Sequence, residues 1–149
     1  MTVKEYGHYL TQDAGYREKA ARISELTLDL CEVLTPAMLD RVAARGKVAF
    51  QSPCTLQHGQ QLRGKVEALL QAAGYPLSAV NDAHLCCGSA GTYSLLHPPI
   101  ADELRARKLE ALGAGGPDVI ATANIGCLSH LQAASRTPVK HWIELLDVK

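Results

Sequence analysis

At 149 residues the chain suits one domain, long enough to bury roughly 68–70% of the surface its unfolded form exposes, so folding requires no covalent staple. Fifteen lysines and arginines balance fifteen aspartates and glutamates, which removes the electrostatic case for nucleic acid or an anionic membrane surface. Apolar runs of a few residues fall far short of the ~20 that span a bilayer, and no basic-then-apolar leader opens the chain, so a cytoplasmic setting is expected.

Residues 1–13 show no clear period and read as a piece of something larger. From Ala14 to Val33, Ala20, Ile23, Leu26, Leu30 and Val33 recur at three- and four-residue spacings and predict an amphipathic helix. Cys31 lies inside it and reads as a small packed residue. Thr35 and Pro36 fit the cap and first turn of a shorter helix that runs to Gly46. Lys47 to Gln51 is a β-prone run ended by Ser52-Pro53, with Cys54 directly after it. Beyond the loop Cys54 to Gly59, a helix carries Leu62, Val66, Leu69, Leu70 and Ala73 on one stripe and stops at Gly74.

A second unit has a weak strand at Leu77 to Val80, followed by Cys86 and Cys87. A helix from about Thr92 should break at Pro98-Pro99 and resume through Ile100, Leu104, the Lys108 stem, Leu109 and Leu112. Asp118 to Ala123 is apolar on both parities, as a parallel strand covered on both faces should be, and leads to Cys127. A helix to Ser135, a short strand at Pro138 to Lys140 and a last helix from Trp142 to Asp147 complete the chain. Trp142 reads as a core or interface anchor.

The alternation predicts an α/β fold, a short parallel sheet flanked by helices. Residues 1–46 are expected to form an N-terminal helical segment and 47–149 the α/β domain. Cys54, the Cys86/Cys87 pair and Cys127 each fall just past the C-terminal end of an expected strand, where open parallel sheets place their ligands. Adjacent cysteines rarely bond to each other, because a vicinal disulfide strains the peptide between them. Gly88, Ser89, Ala90 and Gly91 would let the backbone approach a ligand closely with its N–H groups free.

Five cysteines are an odd number in a chain without an export signal, which favours metal or redox use over a disulfide framework. Thirty-one residues separate Cys54 from Cys86 and thirty-eight separate Gly88 from Cys127. These spacings exclude zinc knuckles and the dense cysteine runs of ferredoxins, while four soft thiolates still suit iron–sulfur or zinc. One shared site is expected; sulfurs scattered well beyond about 8 Å would rule it out, since metal–sulfur bonds are ~2.3 Å. His58 and His84 read as hydrogen-bonding loop residues, and His97 and His141 carry no signal.

The order Cys54, Cys86-Cys87-Gly88, Cys127 resembles the cysteine-rich CCG domain of heterodisulfide reductases, lactate-utilisation iron–sulfur proteins and the glycolate oxidase iron–sulfur subunit. Pro53 to Gln60, His84 to Tyr93, Thr122 to Cys127 and His141 to Leu145 are similar to the C-terminal part of the last of these. The resemblance implies an electron-transfer subunit whose Cys54, Cys86, Cys87 and Cys127 bind an iron–sulfur cluster of the 4Fe-4S type, or zinc in an isolated fragment. Its partners would be flavin-containing subunits that oxidise glycolate, with membrane association only through that complex. Such subunits also carry ferredoxin-type motifs and usually a second CCG repeat, neither of which occurs here, so a C-terminal fragment without catalysis of its own is expected. CCG repeats often end in two cysteines two residues apart; here His130 stands at the second position, as a replacement ligand or a bystander.

Two further classes stay open: a docking domain with zinc or no metal, and a thiol-redox protein using a Cys87–Cys127 disulfide. No strand is followed by a G-x-G-x-x-G run and no phosphate-loop lysine follows Gly91, so flavin or nicotinamide is expected on other subunits.

Overall fold

In the computed structural model, which describes residues 1–147, the chain divides into two compact units, Met1–Thr35 and a second that begins at Pro36. The first is helical: a 3-10 turn, Thr2–Glu5, then α1 (Tyr6–Tyr9), α2 (Arg17–Leu26) and α3 (Leu30–Val33). The single helix expected over 14–33 is therefore two, for a local reason. Thr27 turns its hydroxyl onto the Ile23 carbonyl at 2.7 Å. Asp29 then opens a new helix through a capping box, accepting from the Cys31 N–H while Glu32 accepts from the Asp29 N–H. Ala20 and Cys31 are buried, but Ile23, Leu26, Leu30 and Val33 are exposed.

The second unit is built on three parallel strands, β1 (Val48–Gln51), β2 (Val119–Thr122) and β3 (Val139–His141), in that order across the sheet. Gln51 stands beside Thr122, and Thr122 beside His141. Helices α4 (Lys65–Ala72), α5 (Tyr93–Leu96), α6 (Pro98–Gly113) and α7 (Ile125–Gln132) fill the connections, giving the α/β architecture that the alternation implied. All residues of β1 and β2 are buried, as strands covered on both faces must be. Ala49, Ile120 and Val139 pack in one core cluster with Leu112 of α6 and Leu131 of α7, and Cys87 and Cys127 belong to it.

The strand expected over Leu77 to Val80 shrinks to one bridge, Leu77 beside Val48. Pro76 offers only its carbonyl, to the Val48 N–H at 2.9 Å, and Val80 leaves the sheet for the core cluster. The helix expected from Pro36 to Gly46 is one 3-10 turn, Pro36–Met38. Leu39 is the single buried side chain between positions 36 and 46, too little to hold so short a helix in water. The loop after Cys54 is wound into a wide π-type turn, Thr55–Gly59. The last element is a 3-10 turn, Trp142–Leu146, opened by a His141–Glu144 capping box, and Trp142 is 1% exposed.

This topology positions the site. Leu77 lies on one side of β1 and β2 on the other, so the chain reverses its direction across the sheet between β1 and β2. Such a switch point opens a crevice at the strand C-termini, and Cys54 and Cys127 stand on its two sides.

Candidate metal centre

Cys54, Cys86, Cys87 and Cys127 line one cavity of about 750 Å³, together with Ser89, Asn124 and His130. Each arrives by a different device. Cys54 follows Pro53 at the exit of β1 and begins the wide turn. Cys86 and Cys87 end an irregular loop that turns at Gly88, whose φ of +92° is a glycine conformation. A Cβ on Gly88 would also lie 2.4 Å from the Ala101 carbonyl oxygen, so only glycine lets this loop rest on the start of α6. Cys127 sits in the first turn of α7, where the Asn124 side chain caps the helix by accepting from the N–H groups of Gly126 at 2.9 Å and Cys127 at 3.1 Å.

The sulfurs of Cys87 and Cys127 are 3.0 Å apart. The hydrogen bond shared with Cys127 lowers the Cys87 thiol against its burial, with help from the Ser89 N–H and hydroxyl and the nearby His130. Cys127 is driven far up by the same bond and by burial. The two thiols therefore titrate as a coupled pair. Cys54 is raised by burial, then by Cys86, its hydrogen-bond partner, and by Cys87. The Gly88 N–H points at Cys86 Sγ, 3.3 Å away. The small-residue loop is thus a cradle of donors around sulfur. His130 places Nε2 3.3 Å from the Ala101 carbonyl, which with Nε2 protonated leaves Nδ1 as the free ring nitrogen. His58 meets Arg63 at 3.3 Å. His84 is exposed and offers its carbonyl to Gln57.

The sequence profile of the CCG cysteine-rich domain matches residues 48–132, a span holding all four of these cysteines. The chain belongs to the CCG cysteine-rich domain family. Among curated proteins it is similar to the glycolate oxidase iron-sulfur subunit of Escherichia coli (strain K12), 54% identical over 147 residues, 97% of this chain and 36% of that protein. Lactate utilization protein A of Anoxybacillus flavithermus (strain DSM 21510 / WK1) is 29% identical over 135 residues, covering 86% of this chain and 56% of the relative. Lactate utilization protein A of Geobacillus thermodenitrificans (strain NG80-2) is 29% identical over 136 residues, 87% and 56% of the two chains. The chain spans between 36% and 56% of the length of these relatives.

Several residues that build the CCG site carry no sign of it in the sequence. Gln57, 5% exposed, donates to the carbonyls of Ser52 at 3.1 Å and His84 at 3.4 Å, tying the Cys54 loop to the Cys86 loop. Gln51 and Thr122 close the ends of β1 and β2 with a buried 2.6 Å hydrogen bond. Asn124 does have a legible signal, a capping residue before an apolar run. The glutamines have none, because nothing local distinguishes a glutamine that bridges two loops from a solvated one.

Proposed function

We propose that Cys54, Cys86, Cys87 and Cys127 are the thiolate ligands of an iron–sulfur centre of the 4Fe-4S type. In this reading residues 47–149 are the centre-binding domain of a cytoplasmic electron-transfer subunit of a glycolate oxidase-type oxidoreductase. The convergence of four soft donors on one cavity carries the reading. Among the described residues, no three Cys, His, Asp or Glu side chains are grouped closely enough to hold a single ion. Two thiol pairs, Cys87 with Cys127 at 3.0 Å and Cys54 with Cys86, face this one cavity. Such a centre, when bound, takes up and releases single electrons.

The protein's own contribution is to hold the sulfurs, to aim the N–H groups of Gly88 and Ser89 at them, and to keep water off Cys87 and Cys127, which are 2% and 8% exposed. N–H···S contacts and low solvent access both tune the potential of a thiolate-bound centre. Electrons would come from a flavin-containing subunit. Leu95, 78% exposed on the cavity rim, gives that docking an apolar edge. No helix among the described residues is long and apolar enough to cross a membrane.

Anaerobic purification with iron, sulfide and zinc analysis on the sample used for a visible spectrum tests this. Iron and sulfide in comparable amounts with a broad charge-transfer band support it; a colourless chain carrying stoichiometric zinc, or neither iron nor sulfide after reconstitution, refutes it. The 3.0 Å between Cys87 and Cys127 favours one second reading, a dithiol that closes to a disulfide. Two electrons and two protons would pass to a disulfide-bearing co-substrate, and a Cys87–Cys127 linkage in non-reducing peptide maps would reveal it.

A further inference from the structure

Gln57 puts an amide where packing alone would put an apolar side chain. In the wide turn Thr55–Gly59 the buried residues are Leu56 and Gln57, and Gln57 is 5% exposed. A buried amide costs free energy unless its groups find partners. Its nitrogen finds two. Nε2 donates to the Ser52 carbonyl at 3.1 Å and to the His84 carbonyl at 3.4 Å. These partners also fix which way the amide faces, since a flipped group would set its oxygen against two carbonyl oxygens. The backbone of Gln57 is held as well: its N–H donates to the Pro53 carbonyl at 2.9 Å, and its carbonyl accepts from Arg63 Nε at 3.0 Å.

The two carbonyls that Nε2 meets occupy equivalent places. Ser52 stands two residues before Cys54, and His84 stands two residues before Cys86. Cys54 and Cys86 are hydrogen-bonded through their side chains and line the same cavity. We infer that Gln57 is a positioning residue that sets the separation of these two sulfurs, by joining their loops at the same remove from the thiol that each delivers. Half of the site is then assembled before any centre enters. The other half has its own supports, Gly88 seated on the Ala101 carbonyl for Cys87 and the Asn124 cap for Cys127. The inference rests on the reading of four thiols as one site, not on which centre they hold. Its consequence is entropic: ligands gathered beforehand spare a centre the cost of ordering their loops.

The test uses the 149-residue chain and its Gln57→Met and Gln57→Asn variants, each checked for folding by circular dichroism. Methionine keeps the volume and loses both donors; asparagine keeps the donors on a side chain one methylene too short to reach both loops. The metal-free chains are oxidised briefly with diamide, quenched with acid and mapped as non-reduced peptides. In the parent, Cys54–Cys86 and Cys87–Cys127 disulfides should both form. In each variant the early Cys54–Cys86 yield should fall by about tenfold, the worth of one lost hydrogen bond, while the Cys87–Cys127 yield stays at the parent's level. A folded variant with an unchanged Cys54–Cys86 yield overturns the inference, as do two yields that fall together or a parent that forms no Cys54–Cys86 disulfide. If neither variant folds, the parent decides: in its NMR spectrum the Gln57 side-chain amide hydrogens should exchange with water at least about tenfold more slowly than those of the exposed Gln71, and equal exchange overturns the inference. Failure of the reconstituted parent to take up iron and sulfide would instead defeat the cluster reading, leaving the disulfide yields to decide Gln57.

Discussion

Gly88 shows how sharply one residue is constrained. Its left-handed backbone and the 2.4 Å that would separate a Cβ from the Ala101 carbonyl oxygen make two independent objections to any side chain. Gly88→Ala should cost on the order of 2–4 kcal/mol, because strained dihedrals and overpacking against backbone add. Urea unfolding would show this, and iron retention should fall with it as the Cys86–Cys87 loop lifts from α6; unchanged stability would mean that the loop has another seat. Glu67 is constrained by solvation instead. One carboxylate oxygen is buried without a hydrogen-bond partner among the described residues, and burial raises the carboxyl's affinity for a proton against the pull of its own backbone N–H. An acid with a raised folded value loses stability as pH climbs through that value and loses nothing below its unfolded value of about 4.3. Glu67→Gln should therefore stabilise the chain at pH 8, by no more than about 1 kcal/mol after solvent screening, and the gain should vanish near pH 4. Equal urea midpoint shifts at both pH values would contradict the sign.

At the scale of elements, the ends of β1 and β2 are locked together before their loops diverge to the cysteines. Thr122 Oγ1 donates to Gln51 Oε1, and Gln51 and Gln57 both donate to the Ser52 carbonyl, at 3.0 and 3.1 Å. Thr122→Val keeps the shape and leaves the Gln51 oxygen unpaired in the core, which should cost about 1–3 kcal/mol in thermal or urea unfolding. A neutral outcome would mean that the glutamine finds another donor. β1 and β2 are legible in the sequence because strands buried on both faces read as continuous apolar runs, and the Pro98 restart is legible because proline dictates its own helix position. Positions 36–46 and 77–80 are not. Their local patterns fit a helix and a strand, but the first has one buried anchor in Leu39 and the second spends Val80 on the core cluster. Lys108, whose ammonium donates to the Asp82 and Ala83 carbonyls, is visible only as a stem on an apolar stripe, since these partners lie twenty-five and more residues away in the chain. Cys54 and Cys127 are legible because strand ends place them, and Cys86 and Cys87 because two adjacent thiols precede a run of small residues, whereas the glutamines that join these loops act only across the folded structure.

For the whole molecule, the cysteines should behave as one unit. A centre held by four thiolates from three loops loses far more than a quarter of its binding when one ligand goes, because the remaining loops must still be held against their own entropy. Substituting Cys54, Cys86, Cys87 or Cys127 one at a time with serine replaces a soft donor by a hard one and should remove most of the iron and sulfide after anaerobic reconstitution. Cys31 is the internal control. It is buried at 5% exposure within α3 of the first compact unit, and the cavity is lined entirely by residues from Pro53 onward. Cys31→Ala should therefore keep the parent's iron and sulfide content, whatever its stability cost. Iron lost from Cys31→Ala, or retained in full by any of the four serine variants, would break the assignment of those four thiols to a single centre.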